Sequence, residues 1–229
     1  MMQMIPATTE DDFIVKSVDL LKEKIDAAFT RHDSCIIGLS GGSTPKPIYE
    51  ALGKENIDWN KVTIFLVDER YVDPGDQNSN QKMIRETLLT HAAIPAKNCI
   101  FPDTMLPLED CIVQYAQDLN RMIDTYLPDI VTLGMGSDGH IASLFPPVPD
   151  IALGDEALVV HTETDQFAIT DRISVSLNFL CAAQDQIFFL KGTDKKFVWD
   201  EMIASDEDEH RWPAKRMIET GDVSLVSMW

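Results

Sequence analysis

Asp129-Ile130-Val131-Thr132-Leu133-Gly134-Met135-Gly136-Ser137-Asp138-Gly139-His140-Ile141-Ala142-Ser143-Leu144-Phe145-Pro146 is an apolar run that ends in a glycine-rich turn and delivers an aspartate and a histidine together. A short apolar run bounded by turn residues reads as a buried strand. The three glycines free the backbone for positive φ and for close approach to a ligand. Catalytic groups are commonly carried on loops of this kind, held by a rigid strand.

Outward from this stretch, the same pattern of strand and polar turn recurs three times. Cys35-Ile36-Ile37-Gly38-Leu39 runs into Ser40-Gly41-Gly42-Ser43-Thr44-Pro45. Val62 to Val67, rich in β-branched and aromatic residues, runs into Asp68-Glu69-Arg70. Ile187-Phe188-Phe189-Leu190 runs into Lys191-Gly192-Thr193-Asp194-Lys195.

Helical segments fall between the strands. Ile14, Val18, Leu21, Ile25 and Ala28 mark one face of a helix over about residues 10–30. Pro45 to Leu52 reads as a helix with a proline in its first turn. Further helices are expected from Gln81 to Leu89, along Cys111, Tyr115, Leu119, Met122 and Tyr126, from Asp194 to Ala204, and from Pro213 to Glu219. Shorter strands are expected at Ile100-Phe101, Ala157 to His161, Arg172 to Leu177 and Val223 to Val226. Pro146, Pro147 and Pro149 make a stiff, non-helical connection, and Asp206 to Glu209 a solvated loop.

Strands alternating with helices predict an α/β fold with a mostly parallel sheet flanked by helices. No repeat or linker interrupts the pattern, so residues 1–229 read as one domain. In open sheets of this kind ligands bind beyond the carboxyl ends of the strands, where all four polar clusters lie.

The chain carries a formal net charge of -19. Nucleic acid and anionic membrane select basic surfaces and are excluded as main partners. An anionic small substrate is compatible, because a pocket can be positive on an acidic protein. Cys35, Cys99, Cys111 and Cys181 are scattered, without zinc-ligand spacing, and fit a reducing cytoplasm. Met1 to Glu10 lacks the basic and apolar regions of a secretory signal, and no run reaches the ~20 apolar residues needed to span a membrane.

Ser40 to Thr44 before a helix is a candidate anion cradle, offering backbone N–H groups, a helix terminus and hydroxyls to a phosphate. It lacks the Gly-Lys-Ser/Thr ending of a nucleotide P-loop. Gly134-x-Gly136-x-x-Gly139 satisfies the dinucleotide fingerprint, but Asp138 would repel a pyrophosphate and Pro146-Pro147 cut short the helix that motif needs. His140, two residues after Asp138, is a candidate general base with a carboxylate nearby to orient it. Asp68, Glu69 and Arg70 add two acids and a guanidinium whose planar fork suits an oxyanion or phosphate. Lys195 and Arg172 are candidates to neutralise a phosphate dianion, with Lys191 beside them. No Gly-x-Ser-x-Gly elbow and no metal-ligand spacing is present.

These motifs, in order along nearly the whole chain, resemble the glucosamine-6-phosphate isomerase/6-phosphogluconolactonase family, and within it the lactonases of the oxidative pentose phosphate pathway. The segment Gly134 to Pro146 is the most specific. The resemblance implies the sheet architecture shared with glucosamine-6-phosphate deaminase and ribose-5-phosphate isomerase. It also implies hydrolysis of 6-phospho-D-glucono-1,5-lactone, with no metal or organic cofactor. By that resemblance His140 deprotonates the attacking water and Asp138 positions it. Arg70 shapes the site and meets negative charge, and Asp68 lies within it. Ser40, Gly41, Gly42, Ser43, Thr44, Arg172 and Lys195 hold the 6-phosphate. A cytoplasmic monomer or weak homodimer is expected. Asp73, Ile141 and Pro147 depart from the usual pattern at the edges of the motifs.

Two alternatives stand beside this one. A deaminase needs an acid shortly after the histidine, where this chain has Phe145. A non-catalytic sugar-phosphate sensor would have no use for both Asp138 and His140.

Overall fold

The computed structural model describes residues 2–229. Its strands are β1 (Gln3–Pro6), β2 (Cys35–Leu39), β3 (Val62–Leu66), β4 (Asp68–Arg70), β5 (Cys99–Ile100), β6 (Ile130–Leu133), β7 (Val159–Glu163), β8 (Asp171–Val175), β9 (Asp185–Lys191) and β10 (Val223–Met228). Its α-helices are α1 (Glu10–His32), α2 (Lys46–Gly53), α3 (Asn80–Glu86), α4 (Leu88–His91), α5 (Leu108–Met122), α6 (Asp150–Leu153), α7 (Leu177–Cys181), α8 (Thr193–Ala204) and α9 (Pro213–Thr220).

Seven strands form one sheet in the order β1-β10-β9-β6-β2-β3-β5, and every neighbouring pair is parallel. Successive residues on its central strands enter opposite cores. Ile36, Val131 and Phe188 pack on one side with Tyr115 and Leu119 of α5 and Trp199 of α8. Ile37, Ile130 and Phe189 pack on the other with Phe13, Leu21 and Ile25 of α1 and Leu52 of α2. A sheet covered on both faces favours apolar residues at nearly every position, which is why β2, β3 and β6 are apolar apart from Thr63 and Thr132. Side-chain burial of this kind contributes about 1.5–3 kcal/mol for each large aliphatic or aromatic residue. The α/β expectation, with a mostly parallel sheet, is borne out.

The structure departs from the sequence reading at several elements. Asp68-Glu69-Arg70, expected as a strand-end turn, is itself strand β4 of a second, antiparallel sheet in the order β4-β8-β7. The chain is handed over at Val67, whose N–H donates to Leu39 O while its own carbonyl accepts from Val175 N–H. Three polar residues carry no periodicity, so only these long-range bonds reveal the strand. Helix α5 stops at Met122, and Tyr126 leaves its face to stack on His32 with ring centroids 4.1 Å apart. Asp124 and Thr125 are weak helix formers and account for the early end. The helix expected at 81–89 breaks at Thr87, where φ is -114° and ψ is -86°. Strand β8 ends at Val175, because Ser176 caps the short helix α7 by accepting from Phe179 N–H. Edge strand β1 pairs with β10 although most of its residues are exposed, so its sequence has no buried pattern to read. Among the described residues no helix is long and apolar enough to cross a membrane.

Candidate active site

Strand order explains where the polar clusters meet. From β2 the sheet builds outward to β3 and β5, then the chain returns to place β6 on the other side of β2. The crevice between β2 and β6 is a topological switch point, the place where α/β sheets bind ligands. Ser40–Thr44 leaves β2 on one side of that crevice, and Gly134–His140 leaves β6 on the other. The flanking strands β9 and β3 bring Lys191–Lys195 and Asp68–Arg70. Four clusters distant in sequence thus border one cavity of about 390 Å³, lined by Ser40, Gly41, Gly42, Ser43, Thr44, Asp68, Arg70, Gly136, His140, Phe145, Phe167, Arg172, Lys191 and Lys195 among others. That size suits a small metabolite.

The histidine turn is closed by its own backbone. Gly136 N–H donates to His140 O at 2.8 Å, and Gly139 adopts φ of 90°. His140 Nδ1 lies 2.5 Å from Asp138 Oδ1, which also accepts from His140 N–H at 3.3 Å. A Cβ on Gly136 would fall 2.1 Å from Nδ1, so only glycine lets the ring lie there. With Nδ1 committed to the carboxylate, Nε2 is the nitrogen left to exchange a proton. Burial pushes the Asp138 carboxyl up, but the hydrogen bond and charge of His140 outweigh it and leave it below its ordinary value. Phe145 and Phe167 flank the imidazole, with ring centroids at 4.6 and 5.7 Å. No helix follows this turn before α6, so the dinucleotide fingerprint lacks its helix.

The Ser40–Thr44 loop is tied to β6 through Thr132. Its Oγ1 accepts from Ser40 N–H at 3.1 Å, donates to Gly38 O at 3.1 Å and meets Tyr49 Oη at 2.6 Å. Ser40 is buried, and its hydroxyl faces Tyr49 Oη at 3.4 Å, which leaves Ser43 and Thr44 as the more open hydroxyls. Gly42 adopts φ of 103°, and a Cβ there would touch nothing within 4 Å, so this backbone is open to a ligand. Gly41 is packed hard against the Asn80 side chain, whose Nδ2 donates to Asp68 O at 2.9 Å.

Arg70 and Arg172 lie opposite each other in the β4–β8 ladder. Arg70 Nη1 donates to Asn78 O at 2.7 Å, while its buried Nε has no partner among the described residues. Arg172 Nε donates to Ile169 O at 3.0 Å, and its guanidinium lies 5.6 Å from the Phe167 ring centroid. Burial, and then the charge of Arg70, push the Arg172 guanidinium below its ordinary value. Asp68, also buried, accepts from the Ser143 hydroxyl at 2.6 Å. Glu69 serves a different purpose. Its oxygens accept from Asn80 N–H at 2.7 Å, Gln81 N–H at 2.8 Å and the Ser79 hydroxyl at 3.1 Å, satisfying the first N–H groups of α3. Burial pushes its carboxyl up to about 7 against the pull of those backbone bonds. Lys191 pairs with both oxygens of Glu10 at 2.9 Å, whereas Lys195 makes no ion pair among the described residues.

A larger cavity, about 630 Å³, also touches Asp138 but is walled by Asp206, Glu207 and Asp208, which repel a phosphate. Three potential metal-ligand atoms, on His161, Glu163 and Asp171, lie within 4.8 Å of one another, and none of these residues lines the cavity of His140.

The sequence profile of a family described as glucosamine-6-phosphate isomerases/6-phosphogluconolactonase matches residues 8–226. The chain belongs to this family. A probable 6-phosphogluconolactonase of Dictyostelium discoideum is 43% identical over 220 residues, covering 94% of this chain and 93% of that protein. A 6-phosphogluconolactonase of Nostoc is 33% identical over 217 residues, covering 92% of this chain and 88% of the relative. The crystal structure of 6-phosphogluconolactonase from Thermotoga maritima superposes with a TM-score of 0.88 at 27% identity, covering 99% of this chain and all of that one.

The structure brings every candidate residue but Asp138 and Glu69 to the rim of one cavity; Asp138 stands directly behind His140, and Glu69 turns away to cap α3. Sequence reasoning missed Phe167, which lies in the irregular stretch 164–170, and Ser143, whose hydroxyl fixes Asp68. It also missed Arg211 and Trp212, which pack beneath the histidine turn. Phe167, Arg211 and Trp212 have no periodic or motif-like context, and Ser143, although inside the Gly134–Pro146 segment, shows its bond to Asp68 only in the tertiary structure.

Proposed function

We infer that this protein hydrolyses 6-phospho-D-glucono-1,5-lactone to 6-phosphogluconate, the ring-opening step of the oxidative pentose phosphate pathway. The observation that carries this reading is His140, backed by Asp138, sharing one cavity with Arg70, Arg172, Lys195 and the Ser40–Thr44 loop. The names of its relatives point the same way.

In this reading His140 Nε2 takes a proton from water as the water oxygen bonds to the lactone carbonyl carbon. Asp138 holds the ring through Nδ1 and stabilises the imidazolium that forms. Arg70 faces the negative charge that builds on the carbonyl oxygen. The tetrahedral intermediate then collapses, the bond from the carbonyl carbon to the ring oxygen breaks, and the imidazolium returns its proton to that oxygen. The Ser40–Thr44 loop, Arg172 and Lys195 hold the 6-phosphate. Binding energy from that remote group orients the ring at the base. Asp68, anchored by Ser143, shapes the floor between the two ends.

Phe145 supports hydrolysis over deamination, since a phenyl ring cannot relay protons. Both cores share the parallel sheet, which supports a single domain. Free cysteines, none bridged among the described residues, fit the cytoplasm.

The test is a lactonase assay with the spontaneous opening rate subtracted. A rate no faster than background would refute the reading, and ammonia release from glucosamine 6-phosphate would replace it with deamination.

A further inference from the structure

The turn from Gly136 to His140 is held mostly by bonds within itself, with Gly136 N–H to His140 O and Gly139 N–H to Gly136 O at 3.2 Å. One side chain from a distant part of the sequence reaches into it. Arg211 Nη1 donates to Asp138 O at 2.8 Å. Its guanidinium carbon lies 3.6 Å from the Trp212 ring centroid, a stacked arrangement. The Trp212 ring is seated directly under Gly139, where a Cβ would come within 2.4 Å of the indole and 3.1 Å of Arg211 Nη1. Both residues are anchored from behind, because Arg211 N–H and Trp212 N–H donate to Asp208 O at 3.1 and 2.8 Å.

We propose that Arg211, clamped by Trp212, is a positioning residue that fixes the Asp138 peptide and thereby aims the Asp138 carboxylate at His140. Geometry supports this over plain packing. The Asp138 side chain touches His140 through Oδ1 alone, and its other oxygen is buried with no partner among the described residues. No side chain other than His140 hydrogen-bonds that carboxylate among the described residues, so the backbone bond from Arg211, which fixes the Asp138 peptide, bears directly on where its Cβ points. The indole fills the space that a side chain at position 139 would need, so the turn cannot relax toward the core. Arg211 does not line the cavity of His140, and it acts through Asp138.

The inference rests on His140 as the base, and its test is a double-mutant cycle that keeps the two claims apart. Arg211→Met retains the aliphatic stem and removes the donor. In the wild-type background it is expected to lower kcat on the order of 10- to 100-fold while KM for the lactone stays within about twofold, the signature of a misaimed group. In an Asp138→Ala background the same substitution is expected to cost less than about twofold, because the group it aims is gone. Losses that multiply in the double variant, or an unchanged kcat in the single one, overturn the proposal. If Asp138→Ala and His140→Ala both keep full turnover, the reading of the base itself has failed instead. Should Arg211→Met not fold, Arg211→Leu, which also lacks a donor, is carried through the same cycle with the same two outcomes.

Discussion

Arg70 and Arg172 face each other across an antiparallel ladder, two guanidinium groups at paired positions on the wall of one cavity. Like charges directly opposite in a sheet are destabilising. A protein of net charge -19 has no shortage of carboxylates to place between them, yet Asp68 is the one carboxylate lining that cavity among the described residues. The arrangement is relieved when an anion binds. Saturation with 6-phosphogluconate at about 100 times Kd is therefore expected to raise Tm by roughly 5–10 °C. Arg172→Met is expected to lose at least half of that shift at the same concentration. An undiminished shift, read by calorimetry, removes Arg172 from the surroundings of the anion.

His140→Ala is expected to lower lactonase kcat by at least about a hundredfold, the range of general-base catalysis, while 6-phosphogluconate still binds. Gly136→Ala is expected to imitate it. The new Cβ would lie 2.1 Å from His140 Nδ1, so the ring must move off Asp138. Steady-state rates and isothermal titration on both variants check this, and a Gly136→Ala enzyme with full turnover would show that the ring position is not critical.

Among the described residues Lys195 is the lysine at this rim without an ion pair, whereas Lys191 is already held by Glu10. Lys195→Ala is expected to raise KM about tenfold or more, since a hydrogen bond to a charged group contributes about 1.5–3 kcal/mol. Lys191→Ala is expected to change it less. Equal effects at the two positions would place the phosphate nearer Lys191.

Glu69 gives a pH signature. Its carboxyl is raised from 4.5 to about 7 in the folded protein, with burial as the main cause. Between those values the folded state holds the extra proton, so this group's contribution to stability falls as pH rises through that window. Glu69→Gln removes the titration. The stability difference between wild type and variant is expected to favour wild type most near pH 4.5 and to narrow by up to about 3 kcal/mol toward pH 7. Urea midpoints at a series of pH values measure it, and a gap that widens with pH would mean that the backbone hydrogen bonds to Glu69 outweigh its burial.

Much of this architecture was legible in the sequence because burial on both sheet faces leaves nearly continuous apolar runs. Cys35–Leu39, Val62–Leu66 and Ile130–Leu133 could hardly be anything else. Their polar termini were legible for a related reason, since residues such as Ser43, His140 and Arg70 are seldom found in an apolar core. What stayed hidden was whatever depends on contacts across the fold. Strand β4 is three polar residues whose pairing is fixed by Val67, and strand β1 is an exposed edge. Phe167 and Arg211 reach the site from segments with no pattern of their own. Whether Asp138 touches His140 also could not be read from spacing, because two residues apart in a glycine turn permits many geometries.

The neighbouring positions of β2 and β6 carry one more consequence. Adjacent strands lie about 4.8 Å apart and are locked by their ladder, so loops springing from them cannot slide past each other. Thr132 tightens that lock by bonding both Gly38 and Ser40. With the proposed placement, phosphate at the Ser40–Thr44 loop and carbonyl at His140, the two ends of the lactone would be gripped by jaws of fixed separation. Such a gauge measures a substrate by its length. On that placement a phosphorylated sugar lactone one carbon shorter is expected to be hydrolysed with a clearly lower kcat/KM, and equal turnover of the two lactones would show that the separation is not what selects the substrate.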